Sequence, residues 1–142
     1  MYLNGATYIG QYKNSLRHGE GRQVGKDGSI YEGQWLCDKR NGKGRTIYSD
    51  GDCYEGDWTN DRTEGVGKYL YMNGAYYEGE WVNNEQHGQG KEYFLDGSIY
   101  EGTYKEGVKN GQGVFIWLEG SKYTGEFRSN DLHGYGIIYY KV

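Results

Sequence analysis

The chain has 142 residues with 26 Gly, 17 Tyr and no Pro, a composition foreign to ordinary helical and α/β domains. Aromatic residues reach 17% and the formal net charge is only -4, so the sequence opposes disorder and predicts an aromatic core. No apolar run approaches the ~20 residues that span a bilayer, and the acidic balance opposes nucleic acid as a partner.

The cysteines favour a reducing environment. Cys37 and Cys53 form neither a Cys-x-x-Cys motif nor a framework of disulfides. No basic and apolar leader of the kind that directs secretion precedes the first strand. We therefore expect a cytoplasmic location.

A period of 23 residues organises the sequence, since Tyr8 recurs at this spacing up to Tyr123 without an insertion. The units are residues 8–30, 31–53, 54–76, 77–99 and 100–122, with an incomplete unit at 123–142 and a partial one at 1–7. We number the places within each unit from its first Tyr. The pattern predicts one repeat array over residues 1–142 with no second domain.

Each unit begins with a predicted strand and a tight turn. In Tyr31, Gly33 and Trp35, two aromatic residues flank a Gly on one face of the strand, because alternate residues share a face. The Gly leaves a slot for a neighbouring ring. Places seven and eight carry turn formers, such as Asn60 and Asp61, that tolerate the positive φ of a hairpin turn.

A second strand follows from a Gly-x-Gly pair to an apolar or aromatic end, and an Asp-Gly or Asn-Gly pair then turns the chain into the next unit. The frequent glycines interrupt any amphipathic pattern with the 3.6-residue period of a helix. We predict an all-β fold, an elongated single-sheet rod of consecutive antiparallel β-hairpins with about 12 strands. At ~4.8 Å between strands the rod extends on the order of 55 to 60 Å.

The units YEGQWLCDKRNGKGRTIYSDGDC, YEGDWTNDRTEGVGKYLYMNGAY and YEGEWVNNEQHGQGKEYFLDGSI resemble membrane occupation and recognition nexus (MORN) repeats over essentially the whole chain. The sequence departs from the family at place eight, where only Gly107 keeps the usual Gly, and at place two, where Ile9 and Thr124 replace Glu. The resemblance implies a scaffold at cytoskeletal or membrane-proximal structures, including cilia.

Catalysis needs unlike groups that converge on one point, whereas the prominent residues here recur in register along a rod. His18, His87 and His133 lie two and three repeats apart, roughly 20 to 30 Å at the spacing of β-strands, so they cannot share a zinc ion. The Gly-x-Gly pairs precede no helix that would cradle a phosphate. We expect no enzyme activity, no metal and no cofactor.

The aromatic stripe and the acidic residues beside it are the candidate partner-binding groove. A single sheet has no second layer, so we expect at least some of the rings to line an open groove. The glutamates form either a ladder for a basic partner or a solvated face. The candidate residues are Tyr31, Trp35, Tyr54, Trp58, Tyr77, Trp81, Tyr100, Tyr104, Glu32, Glu55, Glu78 and Glu101.

Basic residues concentrate in the first two units and are the candidate contacts for an anion. A phosphoinositide or another anionic lipid is the alternative ligand, although the acidic total opposes it. The residues are Arg17, Arg22, Lys39, Arg40, Lys43 and Arg45.

We predict a non-catalytic scaffold or adaptor that binds a partner protein segment along the aromatic groove. Ligand capture in aromatic cages is a third hypothesis, and it would need three aromatic residues at each site. The last strand is unusually apolar, with Ile137, Ile138 and Tyr139. We expect either that the array continues beyond this sequence or that the open edge pairs with a second copy or with another protein.

Overall fold

The computed structural model describes residues 5–142, so residues 1–4 of the leading partial unit lie outside it. The described chain contains 12 strands and no helix, which confirms the predicted fold class. The strands are β1 (Thr7–Lys13), β2 (Leu16–Val24), β3 (Ile30–Leu36), β4 (Lys39–Ile47), β5 (Cys53–Thr59), β6 (Arg62–Leu70), β7 (Tyr76–Val82), β8 (Glu85–Tyr93), β9 (Ile99–Lys105), β10 (Val108–Ile116), β11 (Lys122–Arg128) and β12 (Asp131–Tyr139).

The strands form one antiparallel sheet in sequence order, each paired with its neighbours in the chain. Two-residue turns close the hairpins, and both turn residues have positive φ, as at Asn60 (46°) and Asp61 (68°). This conformation matches the twist of the flanking strands. The same geometry occurs at Cys37 and Asp38, where Cys is an unusual turn residue.

Five-residue loops connect the hairpins. In the loop after β4, the Tyr48 amide donates to the Asp52 carbonyl at 2.9 Å, and the Gly51 amide donates to the Tyr48 carbonyl at 3.0 Å. The Asp50 carboxylate accepts the Asp52 amide at 2.9 Å, and Gly51 has a φ of 97°. The predicted Asp-Gly turn signal therefore reflects a side-chain cap followed by a left-handed residue.

The paired glycines of each hairpin hold a ring. Gly56 and Gly67 face each other across β5 and β6, and the Tyr54 ring lies over them. A Cβ on Gly67 would lie 2.2 Å from the Tyr54 hydroxyl. The predicted slot thus exists, and the tyrosine that opens the unit fills it. We call the side of the sheet that carries these rings the aromatic face.

Candidate partner-binding faces

Rings of the aromatic face form a continuous edge-to-face series along the sheet. Tyr54 contacts Trp58 in its own unit at 5.3 Å and Trp81 in the next at 5.2 Å between ring centroids, with nearly perpendicular planes. The pattern repeats from Tyr8 to Phe127. Such pairs stabilise a fold beyond the area that they bury, by ~0.5 to 1.5 kcal/mol each. The tyrosine that opens a unit therefore connects its own repeat to the next.

The expectation that this stripe lines an open groove is corrected by its burial. The predicted groove rings retain at most 5% of their accessible surface, and Tyr54, Tyr77 and Tyr100 retain none. The tyrosine that opens each unit lies over a glycine pair, and the ring at place five packs edge to face against it. A thin sheet thus makes a core without a second layer. The buried groove candidates are Tyr31, Trp35, Tyr54, Trp58, Tyr77, Trp81, Tyr100 and Tyr104.

Polar atoms of these rings bond within the sheet. The Tyr54 hydroxyl donates to the Asp57 carbonyl at 2.9 Å, and the Trp58 indole N–H donates to the Gly44 carbonyl of the preceding unit at 3.1 Å. Burial raises the pKa of Tyr100 to about 12. Burial, together with the Glu92 carboxylate 2.6 Å away, also raises the pKa of Tyr104. The ring hydroxyls are therefore structural.

Side chains at place eight join adjacent repeats. The Asn84 side-chain oxygen accepts the Thr63 amide of the preceding unit at 2.9 Å, while the Asn84 amide donates to the Thr63 carbonyl at 3.1 Å. Asp61 accepts the Arg40 amide in the same way at 2.9 Å. The departure from Gly at this place therefore adds a hydrogen bond between repeats. Sequence reasoning had explained only the left-handed turn.

The six basic candidates do not form one patch. Arg17 and Arg40 lie on the aromatic face, where their guanidinium carbons stand 4.5 Å and 4.7 Å from the centroids of the Trp35 and Trp58 rings. Both also bond to a carboxylate of the next unit, Arg17 to Asp38 at 2.6 Å. These two residues are part of the packing between repeats.

The other four basic candidates are not part of this packing on the aromatic face. Arg22 pairs with Glu32 at 2.8 Å, Lys43 pairs with Asp57, and Arg45 donates to the Cys53 sulfur at 3.3 Å. By strand alternation Arg22, Lys43 and Arg45 lie on the side opposite to the aromatic face. Lys39 is exposed. The predicted concentration of positive charge is thus divided between two faces and largely neutralised.

Opposite charges alternate across the strands on the side opposite to the aromatic face. Glu55 stands in register between Arg45 of β4 and Lys68 of β6. Lys68 approaches Glu78 at 3.5 Å, and Lys91 approaches Glu101 at 3.9 Å. We call this row the charge ladder, and its side of the sheet the ladder face. The charge ladder comprises Arg22, Glu32, Arg45, Glu55, Lys68, Glu78, Lys91 and Glu101.

An apolar row runs beside the charge ladder on the same face, two residues away along each strand. Its members pair directly across neighbouring strands, and several are substantially exposed, with Ile47 at 39% and Leu70 at 42%. Lys68 leans over it, with its ammonium 4.3 Å from the Tyr76 ring centroid. The apolar row comprises Val24, Ile30, Ile47, Cys53, Leu70, Tyr76, Tyr93, Ile99 and Ile116.

Sequence reasoning missed the apolar row and the basic half of the charge ladder. The signal was present. Place seventeen is Val, Ile, Leu or Tyr in every unit, place twenty-three is Ile, Cys or Tyr in the first four units, and place fifteen is Arg or Lys in four units. Only the cross-strand register brings place fifteen beside the glutamate of place two. Contiguous exposed apolar surface of this kind usually marks an interaction site.

Other kinds of site find no support in the part of the chain that the structure describes. Residues 5–142 contain no group of three or more His, Cys, Asp or Glu side chains that could hold a metal ion. Within the same residues, no helix is long and apolar enough to cross a bilayer.

Comparisons with known proteins give a family and a fold. A search of curated proteins found no match. Among solved structures, the chain is similar to the TCP domain of SAS-4 (dCPAP) from Drosophila melanogaster, solved in complex with a proline-rich motif of Ana2 (dSTIL). The TM-score is 0.51 at 13% identity, over 87% of this chain and 72% of that one.

The sequence profile described as MORN repeat matches six consecutive segments. They are residues 8–30, 31–53, 54–76, 77–99, 100–122 and 123–141. The matches cover nearly the whole chain and coincide with its hairpins, so the chain belongs to the MORN repeat family.

Proposed function

We propose that the chain is a non-catalytic protein-interaction scaffold, and that a partner segment docks across the strands on the ladder face. The observation that carries this proposal is the apolar row, which leaves Ile47, Leu70 and Ile116 between 38% and 42% exposed beside the charge ladder. The predicted groove rings of the aromatic face are at most 5% exposed, so the ladder face carries the continuous row of apolar side chains that is still open to a partner.

An extended segment fits the spacing of this face. One repeat contributes two strands, about 9.6 Å across the sheet at ~4.8 Å per strand. Three residues of polyproline II advance about 9.3 Å, so equivalent side chains of such a segment would meet equivalent positions in successive repeats. The proline-rich motif bound by the structurally similar SAS-4 domain supports this form of partner. The alternating charges call for a partner segment that carries both signs.

The proposed site retains part of the predicted one. The four glutamates Glu32, Glu55, Glu78 and Glu101 are exposed members of the charge ladder. The predicted rings act behind them as the rigid support of the sheet. A cytoplasmic, cytoskeletal or membrane-proximal setting belongs to the same proposal and rests on what the family resemblance implies.

The test is selection from an unbiased displayed peptide library against the whole chain, followed by affinity measurement for an enriched peptide. Leu70→Lys should weaken binding by about tenfold or more, because it puts a charge at the centre of the apolar row. The matched control is Leu95→Lys, an exposed leucine in a loop outside the apolar row, which should bind normally. Equal losses in both variants would contradict docking on the ladder face.

Lipid binding is tested in parallel by sedimentation with vesicles that contain phosphoinositide. We expect the protein to stay in the supernatant, because the basic residues of the first two units are largely paired and divided between faces. Co-sedimentation that is lost when Lys39 and Lys43 are replaced by Glu would favour the lipid function instead.

We also propose that the edge of β12 pairs with a second copy of this chain. Ile137 and Tyr139 are more than half exposed, and Ile138 is 39% exposed. Analytical ultracentrifugation at micromolar concentration should show a dimer, and Ile138→Lys should dissociate it, because charged edge residues oppose strand addition. A monomer at high concentration would contradict this contact.

A further inference from the structure

One loop of the repeat array lacks a ring that its counterparts carry. Place eighteen is the first residue of the loop between hairpins, and it is Tyr48, Tyr71, Phe94 and Trp117 in the second to fifth units but Gly25 in the first. The loop backbone is the same with or without a ring. The Gly25 amide donates to the Ser29 carbonyl at 2.8 Å, as the Tyr48 amide does to Asp52 at 2.9 Å.

The rings at place eighteen pack on the aromatic face beside the core. Tyr48 stacks on Tyr69 of the next unit with centroids 5.9 Å apart, and Phe94 meets Phe115 of the next unit at 5.8 Å. Tyr48 and Phe94 therefore each pack on the residue at place sixteen of the following repeat. In the second repeat, Tyr48 lies in a hollow that Arg40 and Trp58 also line.

At Gly25 the corresponding space is a cavity of about 270 Å³, which we call the Gly25 notch. It is lined by Gly25, Thr46, Arg17, Arg40, Tyr31 and Trp35, among others. Arg17 and Trp35 are the counterparts of the Arg40 and Trp58 that flank Tyr48 in the next repeat. For comparison, an apolar cavity of roughly 150 Å³ is large enough to bind benzene.

Thr46 supplies a second and independent observation. Thr46 occupies place sixteen of the second unit, which is the position that a ring at place eighteen of the first unit would cover. Only 3% of its surface is exposed. Among residues 5–142, its Oγ1 is the buried side-chain polar atom without a hydrogen-bond partner. Since a buried hydroxyl without a partner is costly, the notch lacks a polar group as well as a ring.

We propose that the Gly25 notch receives the side chain of a tyrosine from a partner protein. The phenol ring would take the place that Tyr48 takes one repeat later, against Trp35 and the guanidinium of Arg17. Its hydroxyl would bond to Thr46, since each of the two hydroxyls can donate or accept. Arg17 is already held by Asp38 at 2.6 Å, so the guanidinium offers a rigid plane on which an aromatic ring can stack.

This inference goes beyond the proposed docking on the ladder face, because the notch opens on the other side of the sheet. It rests on the proposed function only in taking the natural ligand to be a protein side chain. Its test therefore uses a small probe and no peptide, so the two proposals can fail separately.

The probe is p-cresol, the side-chain analogue of tyrosine, titrated into the whole chain while amide chemical shifts are followed by NMR. We expect saturable shifts at Gly25 and Thr46 with a millimolar Kd, the range for a ligand of this size. Toluene, the analogue of phenylalanine, should bind several-fold more weakly, and Thr46→Val should remove this difference. Equal affinity for both probes in the native protein would contradict the assignment to tyrosine.

Gly25→Tyr fills the notch from within the chain. Gly25 has no positive φ, and the atoms nearest to an added Cβ are the side-chain oxygens of Asp27 and Ser29, which can move. We expect a higher Tm than for Gly25→Ala, which adds only the Cβ, and loss of p-cresol binding. Unchanged p-cresol shifts in Gly25→Tyr would overturn the proposal, as would the absence of shifts in the native protein.

Discussion

The two faces of this sheet carry opposite chemistry on the same strands. On the aromatic face, rings such as Tyr54 and Trp58 are at most 5% exposed and bond to backbone carbonyls. On the ladder face, Leu70 is 42% exposed, and ion pairs such as that between Lys68 and Glu78 are open to solvent. The rings of one face cover one another, whereas the apolar row of the other face stays partly exposed.

This difference shows how a single-layer sheet can separate stability from recognition. Alternation along a strand sends places one and five to the aromatic face and places two and seventeen mainly to the ladder face. Glycine pairs let the rings sink into the sheet, so no second layer is needed to cover them. Substitutions on the aromatic face should therefore affect unfolding, and those on the ladder face should affect binding.

Trp58→Ala should give the largest effect, a loss of about 3 to 5 kcal/mol in the free energy of unfolding. The change removes ring contacts to Tyr31 and Tyr54 and leaves the Gly44 carbonyl without the indole donor. Urea unfolding followed by circular dichroism measures the loss. The matched control is Tyr12→Ala, at the same place of the first unit but 54% exposed, which should cost much less.

A stable Trp58→Ala variant that has lost only peptide binding would reverse the assignment of the two faces. It would restore the exposed aromatic groove that the sequence predicted.

Gly67→Ala should cost about 3 kcal/mol, near the upper end for overpacking, because the new Cβ would lie 2.2 Å from the Tyr54 hydroxyl. Gly74→Ala is a matched control in a loop. Gly74 has a φ of 97°, but nothing lies within 4 Å of an added Cβ, so only backbone strain of about 1 to 2 kcal/mol is expected. Thermal unfolding compares the two variants, and a larger loss in Gly74→Ala would contradict the slot as the main source of stability.

Much of the fold was predictable because each repeat carries turn-forming residues at fixed places. Asn60 and Asp61 predict a left-handed turn, Asp50 and Gly51 predict the connection, and the 23-residue period sets the number of hairpins. These signals are local, so they do not depend on tertiary packing.

Which rings are buried, and which side chains join one repeat to the next, was not predictable from the same signals. The sequence shows a slot at Gly56 but not that Tyr54 fills it from its own strand, since this requires the register that places Gly67 opposite. Nor does it show Asp61 bonding to Arg40, 21 residues earlier. Burial and ion pairing in this molecule depend on neighbours across the strands. The repeat pattern of the sequence does not show which residues these neighbours are.

Asp38→Asn should change the pH dependence of stability rather than the fold. The hydrogen bond from the Arg17 guanidinium lowers the pKa of Asp38. A lowered pKa in the folded state contributes stability above the unfolded pKa of ~3.9, and this contribution is lost as pH falls through the folded pKa. Asparagine keeps the oxygen acceptor and removes the charge, as Asn84 and Asn130 do naturally at this place.

We expect the variant to lose less stability than the native protein when the pH falls below about 4, with a difference below about 1 kcal/mol because the pair is partly exposed. Urea midpoints across this range measure it. Parallel curves for the two proteins would show that the Arg17 ion pair contributes nothing to acid sensitivity.

Glu55→Gln should have the smallest effect on stability and a measurable one on recognition. Glu55 stands between Arg45 and Lys68 on exposed strands, where an ion pair contributes about 0.2 to 1 kcal/mol and is screened by salt. The urea midpoint should therefore hardly move. A peptide selected on the ladder face should associate more slowly, and the difference from the native protein should shrink as salt is added, because exposed charges act mainly on the association rate. A large fall in stability with unchanged binding would mean that the charge ladder holds the sheet together rather than orienting a partner.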